Sequence, residues 1–181
     1  MRMMKEIATR RSIRKYKAEP VSDDVIRQLL ESACLAPSGS NTQPWHFIVV
    51  RDPQIKAQLA AASHQQQWML AAPVFIVCTA DLRSRVKTEQ PLFVDENTPD
   101  EELKQVIRDT SIAVTHILLA ATELALGTCW VAWFTQAAIR PILNIPEDKY
   151  VVGILTLGYA AEEPAARPRK NIEDVLHYDL W

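Results

Sequence analysis

From Ile112 to Phe134 the chain is almost continuously apolar, yet His116, Glu123, several threonines and a Gly127-Thr128 step interrupt it. By length this is the one stretch that could span a bilayer. Its interruptions divide it instead into the end of a long helix, expected from about Glu101 to Leu126, and a short strand near Cys129 to Trp133. A helix apolar on nearly every face is embedded in lipid or buried in a large core or subunit interface. The polar breaks favour the interface. At 181 residues the chain is about one domain's worth, long enough for a single well-buried core.

The other elements are expected around this helix. Met3 to Thr9 reads as a short helix running into a basic cluster. Ser22 is placed to cap a second helix, with Asp23 and Asp24 in its positive first turn and Val25, Ile26, Leu29, Leu30 and Ala33 at helical spacing. That helix stops near Pro37, where a loop begins. Trp45 to Val50 and Pro73 to Ala80 are strands, the second continuously apolar and therefore covered on both faces. Gln54 to about Ser63 is helical between them. Asp81 to Asp100 is polar and irregular, Thr135 caps a brief helix through about Leu143, and Val151 to Tyr159 is another strand. The interleaving lacks regular βαβ spacing, so the expected class is α+β, a sandwich of helices around a mixed sheet. No repeat or linker divides the chain, and the tail from Ala160 looks extended.

Composition removes several functions. A net charge of −2 leaves no basic surplus for nucleic acid or an anionic membrane. With only four glycines and no GxGxxG there is neither a dinucleotide fingerprint nor a P-loop. His46, His64, His116 and His177 show no ligand spacing, so no metal site is expected. Cys34, Cys78 and Cys129 are scattered through apolar stretches and read as small buried hydrophobes in a reducing cytosol. Met1-Arg2-Met3-Met4-Lys5-Glu6 lacks the apolar core of a signal peptide, which fits a cytoplasmic protein.

Four constellations could carry chemistry. Arg10-Arg11-Ser12-Ile13-Arg14 offers three guanidinium groups and a hydroxyl; if extended, Arg10, Ser12 and Arg14 point to one side. It could bind a phosphate or be a solvated basic turn. Ala36-Pro37-Ser38-Gly39-Ser40-Asn41-Thr42-Gln43-Pro44-Trp45 could let backbone and amide groups approach a planar ligand. It could equally be a connection whose side chains bond its own backbone. Leu126 to Phe134 could pack on a flat aromatic ligand or serve the core. The tail Arg167-Pro168-Arg169-Lys170 is either solvated or able to close over a phosphate.

Taken in order, Arg-Arg-Ser-Ile-Arg-Lys-Tyr, Ala-Pro-Ser-Gly-Ser-Asn-Thr-Gln-Pro-Trp-His-Phe, Leu-Gly-Thr-Cys-Trp, Ile-Pro-Glu, Leu-Gly-Tyr-Ala and Arg-Pro-Arg-Lys strongly resemble the signatures of the nitroreductase family, from about Met4 to about Val175. The resemblance implies a three-layer α+β sandwich with a mixed, mostly antiparallel sheet. It implies one FMN-binding domain over 1–181, an intertwined homodimer holding two FMN at its interface, and a C-terminal arm, 160–181, reaching the partner. The long apolar helix would be the main dimer seam. Carried over by residue, Arg10 and Ser12 hold the FMN phosphate with Arg11 nearby, and Arg14 lies by flavin N1 and O2. Pro37, Ser38, Ser40, Asn41 and Gln43 line the flavin, some from the opposite subunit. Trp130, Val131 and Ala132 lie along the isoalloxazine near N5, and Arg167 and Arg169 complete the phosphate clamp. One departure stands out: family members often carry Gly-Gly, or a Thr, where Ala132-Trp133 stands here, so bulk near N5 is expected to narrow the acceptor space.

The implied activity is a ping-pong transfer from NADH or NADPH, through FMN, to a nitroaromatic, quinone or similar small acceptor. Arg14 would stabilise negative charge near N1, and no side-chain acid or base is required. Alternatives left open are a reductive dehalogenase or flavin-destructase type of member and a non-catalytic FMN-binding redox sensor. The stretches His64 to Trp68 and Arg83 to Asp100 are expected to border the cavity.

Overall fold

The computed structural model describes residues 3–181; Met1 and Arg2, part of the N-terminal segment read above, lie outside the described residues. Five helices and four strands follow in the order α1 (Lys5–Thr9), α2 (Asp23–Cys34), β1 (Trp45–Val50), α3 (Pro53–Ala62), β2 (Val74–Asp81), α4 (Glu101–Glu123), β3 (Leu126–Val131), α5 (Gln136–Ile139) and β4 (Lys149–Tyr159). The sheet order is β1-β2-β4-β3, antiparallel at every step. Among the described residues its parallel element is a single bridge between Ser12 and Thr128.

Alternation of side chains along the strands divides the core in two. Val74, Ile76, Cys78, Leu155 and Leu157 face α2 and α4, packing on Leu29, Ala113, Val114 and Ile117. Phe75, Val77 and Ile154 face the other way, onto Leu59 and Ala60 of α3, Met69, Ile139 and Ile13. Both faces of β2 are thus covered, as its unbroken apolar run requires, and the molecule has three layers.

Local chemistry sets most boundaries. Ser22 Oγ accepts from Val25 N, Asp52 Oδ1 from Gln54 N and Ile55 N, and Asp100 Oδ1 from Glu102 N and Leu103 N, each satisfying open donors of a first turn. Thr135 does the same for α5, which passes into a 3-10 turn, Arg140–Leu143.

Four expectations need correction. The strand expected over 129–133 runs from Leu126 to Val131, because Leu126, Gly127 and Thr128 pair with Tyr159, Gly158 and Leu157. The Gly127 step is therefore inside the strand. α4 ends at Glu123, where Ala125 turns left-handed (φ 57°) to start the strand. β4 begins at Lys149, two residues before the expected Val151, where Lys149 Nζ pairs with Asp81 and Asp148. Cys78 and Cys129 are buried, but Cys34 lies exposed on the last turn of α2.

Among the described residues no helix is long and apolar enough to cross a membrane. The tail from 160 onward is extended apart from one short turn, Ile172–Asp174. Tyr178, Leu180 and Trp181 within it are exposed, so it has no core of its own in a single chain.

Candidate functional site

After Thr9 the backbone leaves α1 in an extended conformation at Arg10 (φ −53°, ψ 132°). Ile13 N donates to Thr128 O at 2.9 Å, laying this segment along the free edge of β3. Ile13 then turns inward over Gly127, where a Cβ would come within 2.8 Å of its side chain; only glycine leaves that space. Ser12 and Arg14, one residue to either side, consequently point away from the core.

Tyr16 pins the other end. It bridges to Ala160, and its buried hydroxyl lies 2.6 Å from Ile13 O and 2.7 Å from Thr156 Oγ1. The start of the tail is stitched to the same segment, since Lys17 N donates to Tyr159 O and Ala161 N to Lys15 O. The Glu162 carboxylate accepts from Arg14 N at 2.6 Å and Lys15 N at 3.1 Å.

This folding opens a cleft of about 620 Å³ lined by Arg10, Arg11, Ser12 and Arg14 on one side and Arg167 and Arg169 on the other. Lys15 makes six cations, against the single carboxylate of Glu162, which is already turned onto backbone donors. Among the described residues none of Arg10, Arg14, Arg167 or Arg169 is ion-paired to a carboxylate. Arg11 is more committed: it donates to Ala8 O and Arg10 O, closing the end of α1. Beneath the cleft sits Cys129, whose thiol burial pushes upward in pKa against the opposing pull of Arg14, Ser12 and Arg10, so it stays protonated.

Beyond Arg14 the surroundings become aromatic. Its guanidinium lies 5.4 Å from the Trp68 ring centroid, close enough for a cation–π contact. Trp68 lies in the 3-10 turn Gln67–Ala71, which follows a loop where His64 and Gln65 are left-handed (φ 55° and 56°), and His64 stacks on Trp133. The side chains of the 130–132 stretch diverge. Trp130 packs against Gly153, where a Cβ would lie 2.2 Å from its Nε1. Val131 enters the core on the α3 side, and Ala132 is exposed. Trp130 and Val131 can therefore offer a ligand chiefly their main chain on an edge strand, and Ala132 its open surface.

The amide-bearing loop is elsewhere. Ser40, Asn41 and Gln43 are all left-handed, with φ of 52°, 55° and 48°. Gly39 N donates to Asp109 Oδ2 at 3.1 Å and Gln43 N to Ser38 Oγ at 3.0 Å, while Arg85 reaches Gly39 O. Non-glycine residues in this region are uncommon and need such anchoring. Asp109 lies toward the start of α4, whereas Thr122, near its end, borders the arginine-bearing segment. Thirteen residues (122 minus 109) at the helical rise separate the two by about 20 Å. Pro37, Ser38, Ser40, Asn41 and Gln43 are thus not brought to the cleft within one chain.

The 83–100 excursion does not border the cleft either. Arg83 binds Thr88 O and Asp148, Val94 N donates to Glu147 O, and Arg140 lies over Phe93, all at the opposite end of β4. Lys15, Tyr16 and Glu162 were not anticipated; no local pattern marks a glutamate that acts only through the pairing of two distant extended segments.

A three-layer α+β sandwich with an arginine cleft on the free edge of its sheet defines an anion-binding α+β class, and comparison with known proteins identifies the family. The chain belongs to the nitroreductase family, whose model matches residues 7–159. An Archaeoglobus fulgidus protein of the NADH dehydrogenase/NAD(P)H nitroreductase type is 36% identical, covering 98% of each chain. Among solved structures, the NADPH:FMN oxidoreductase of Vibrio harveyi complexed with NAD+ superposes with a TM-score of 0.86 at 25% identity, over 97% of this chain and 76% of that one. A nitroreductase-type protein of Desulfovibrio desulfuricans solved with FMN gives 0.80 at 29% identity, over 97% and 95% of the two chains.

Proposed function

We propose that this protein is an FMN-dependent oxidoreductase that takes electrons from NADH or NADPH and passes them to a nitroaromatic, quinone or similar small acceptor. The reading rests on one convergence: Arg10, Ser12 and Arg14 meet Arg167 and Arg169 from the far end of the chain in one cleft whose single carboxylate, Glu162, is engaged by backbone N–H donors. A phosphate monoester calls for converging N–H donors of this kind, and arginine supplies them in pairs. The donor set fits the phosphate of FMN.

When bound, FMN carries an electron pair from the nicotinamide to the acceptor. The chain's own groups bind and bias it. Arg10, Ser12, Arg167 and Arg169 hold the phosphate; Arg14, braced by Trp68, sets a fixed cation at the start of the aromatic surface. A preoriented cation in a partly desolvated site favours negative charge that develops beside it. Arg11 supports the site by closing α1 rather than by direct contact.

The working unit is a homodimer with two FMN at its interface, one domain per chain over 1–181, with the 160–181 arm extended onto the partner. A two-fold axis near Thr115 and His116, with the two α4 helices antiparallel, would set the Asp109 end of one helix beside the Thr122 end of the other. Pro37, Ser38, Ser40, Asn41 and Gln43 of one copy then face the arginine cleft of its partner. Exposed Ile112 on α4 and the exposed Tyr178, Leu180 and Trp181 of the tail supply apolar surface for such pairing. A cytoplasmic location accords with this chemistry.

The test is a visible spectrum of the purified protein before and after anaerobic addition of each nicotinamide. A yellow dimer bleached by NADH or NADPH, and recoloured by a quinone, is expected. A protein that refuses excess FMN overturns the reading, and one that binds FMN without being reduced is a flavin-binding sensor instead.

A further inference from the structure

Two exposed rings meet at the rim of this site without serving any core. Trp133 is 65% exposed and His64 is exposed, and neither belongs to a buried cluster. Yet their rings lie nearly parallel, centroids 3.9 Å apart and 17° between planes. Holding His64 there requires left-handed backbone at His64 and Gln65, a conformation that side-chain-bearing residues adopt rarely. Strain of this kind persists only where surrounding contacts impose it, and it concentrates at ligand sites.

The placement says which ligand. Loop 64–68 runs beside the end of β3: Trp68 meets Arg14 at one end and His64 meets Trp133 at the other. Exposed Ala132, which the family resemblance sets along the isoalloxazine, immediately precedes Trp133 in the chain. The indole is thus immobilised by the imidazole on one side, leaving its remaining surface open to solvent at the rim of the acceptor space. An immobilised indole recognises flat, electron-poor rings by offset stacking; a compact inorganic oxidant gains nothing from it.

We propose that Trp133, held by His64, is the specificity-determining residue that selects planar aromatic acceptors. The assignment rests on the flavin-dependent activity proposed above. The experiment compares wild type, Trp133→Ala, Trp133→Phe and His64→Ala as FMN-loaded dimers. Each is assayed with menadione and with ferricyanide, and titrated calorimetrically with menadione in the oxidised state, where no turnover occurs. Trp133→Ala should lower the menadione-to-ferricyanide ratio of kcat/KM about three- to tenfold, the factor for one stacked aromatic pair, and weaken menadione binding in proportion. Trp133→Phe should recover most of both, and His64→Ala should fall between. An unchanged ratio, or equal loss with both oxidants, overturns the assignment, as does subunit dissociation in Trp133→Ala, which would put the indole in the dimer seam. Wild type that takes up no FMN, or is not reduced by either nicotinamide, instead refutes the activity itself.

Discussion

Replacing Tyr16 by Phe removes one oxygen atom from the hinge on which the arginine-bearing segment hangs. Three contacts converge there: Tyr16 to Ile13 O at 2.6 Å, Tyr16 to Thr156 Oγ1 at 2.7 Å, and Thr156 Oγ1 to Cys129 O at 3.3 Å. Two hydroxyl protons serve these three contacts, so the variant leaves one proton, and Ile13 O loses its buried hydroxyl partner. A buried group left unsatisfied costs about 1–3 kcal/mol. For a chain of this size each kcal/mol shifts Tm by about 2–4 °C, so a loss of about 2–12 °C is expected by calorimetry. The pH dependence is sharper. Burial pushes the Tyr16 phenol well above its ordinary value, and the Thr156 hydrogen bond only partly opposes this. The folded state therefore holds the proton more tightly than the unfolded chain. That contribution is fully present below the unfolded value of about 10 and is lost as pH rises above it. Wild type should lose stability there by up to about 1.4 kcal/mol per pH unit more than Tyr16→Phe. The buried Cys78 thiol, also raised by burial, contributes to both proteins equally. Denaturant melts between neutral pH and the alkaline limit read the gap directly. Equal stability at neutral pH, or a gap that stays constant into alkali, would refute the reasoning.

Arg10→Ala should weaken FMN binding at least about tenfold, the loss of one charge-assisted hydrogen bond; unchanged flavin fluorescence titrations would remove Arg10 from the phosphate site. Arg14→Ala should keep its FMN but show a lower flavin midpoint potential and slower reduction by nicotinamide, and an unaltered potential would count against its role as a charge stabiliser. Gly153→Ala would place a Cβ 2.2 Å from Trp130 Nε1, and overpacking of this kind costs about 1–3 kcal/mol. Urea unfolding that matches wild type would mean the indole moves aside freely.

What could be read in advance divides by the range over which its cause acts. β1 was legible to the residue because Trp45-His46-Phe47-Ile48-Val49-Val50 carries strand-forming side chains between a proline and an Asp-Pro step that opens the next helix. The caps at Ser22 and Thr135 were legible for the same reason: the acceptor and the donors it satisfies lie within three residues. Gly127 misled because a glycine after an apolar helix looks like a terminator, and the pressure that puts it inside β3 comes from Ile13, more than a hundred residues earlier. Ala125, which makes the actual turn, carries no chemical sign of its positive φ.

The site follows the same division. Each half of the arginine cleft could be noticed locally as a basic cluster, but nothing within either half fixes its partner. Their meeting depends on Tyr16 pairing with Ala160 and on Ile13 bonding to Thr128, contacts between segments that have no mutual sequence signal. Resemblance to a family joined Arg167 and Arg169 to Arg10 and Ser12 as an expectation, without the contacts that bring them together. It left Glu162 and Trp68 without assigned roles, because resemblance transfers only positions whose roles its signatures carry. Trp133 departs from the signature and could only be flagged as bulk. Its geometry, an exposed indole fixed flat against a histidine, arises from this chain's own loop. Divergence of acceptor preference should therefore be sought on that rim, where a side chain can change without disturbing the sheet edge or the arginine cleft proposed to hold the cofactor.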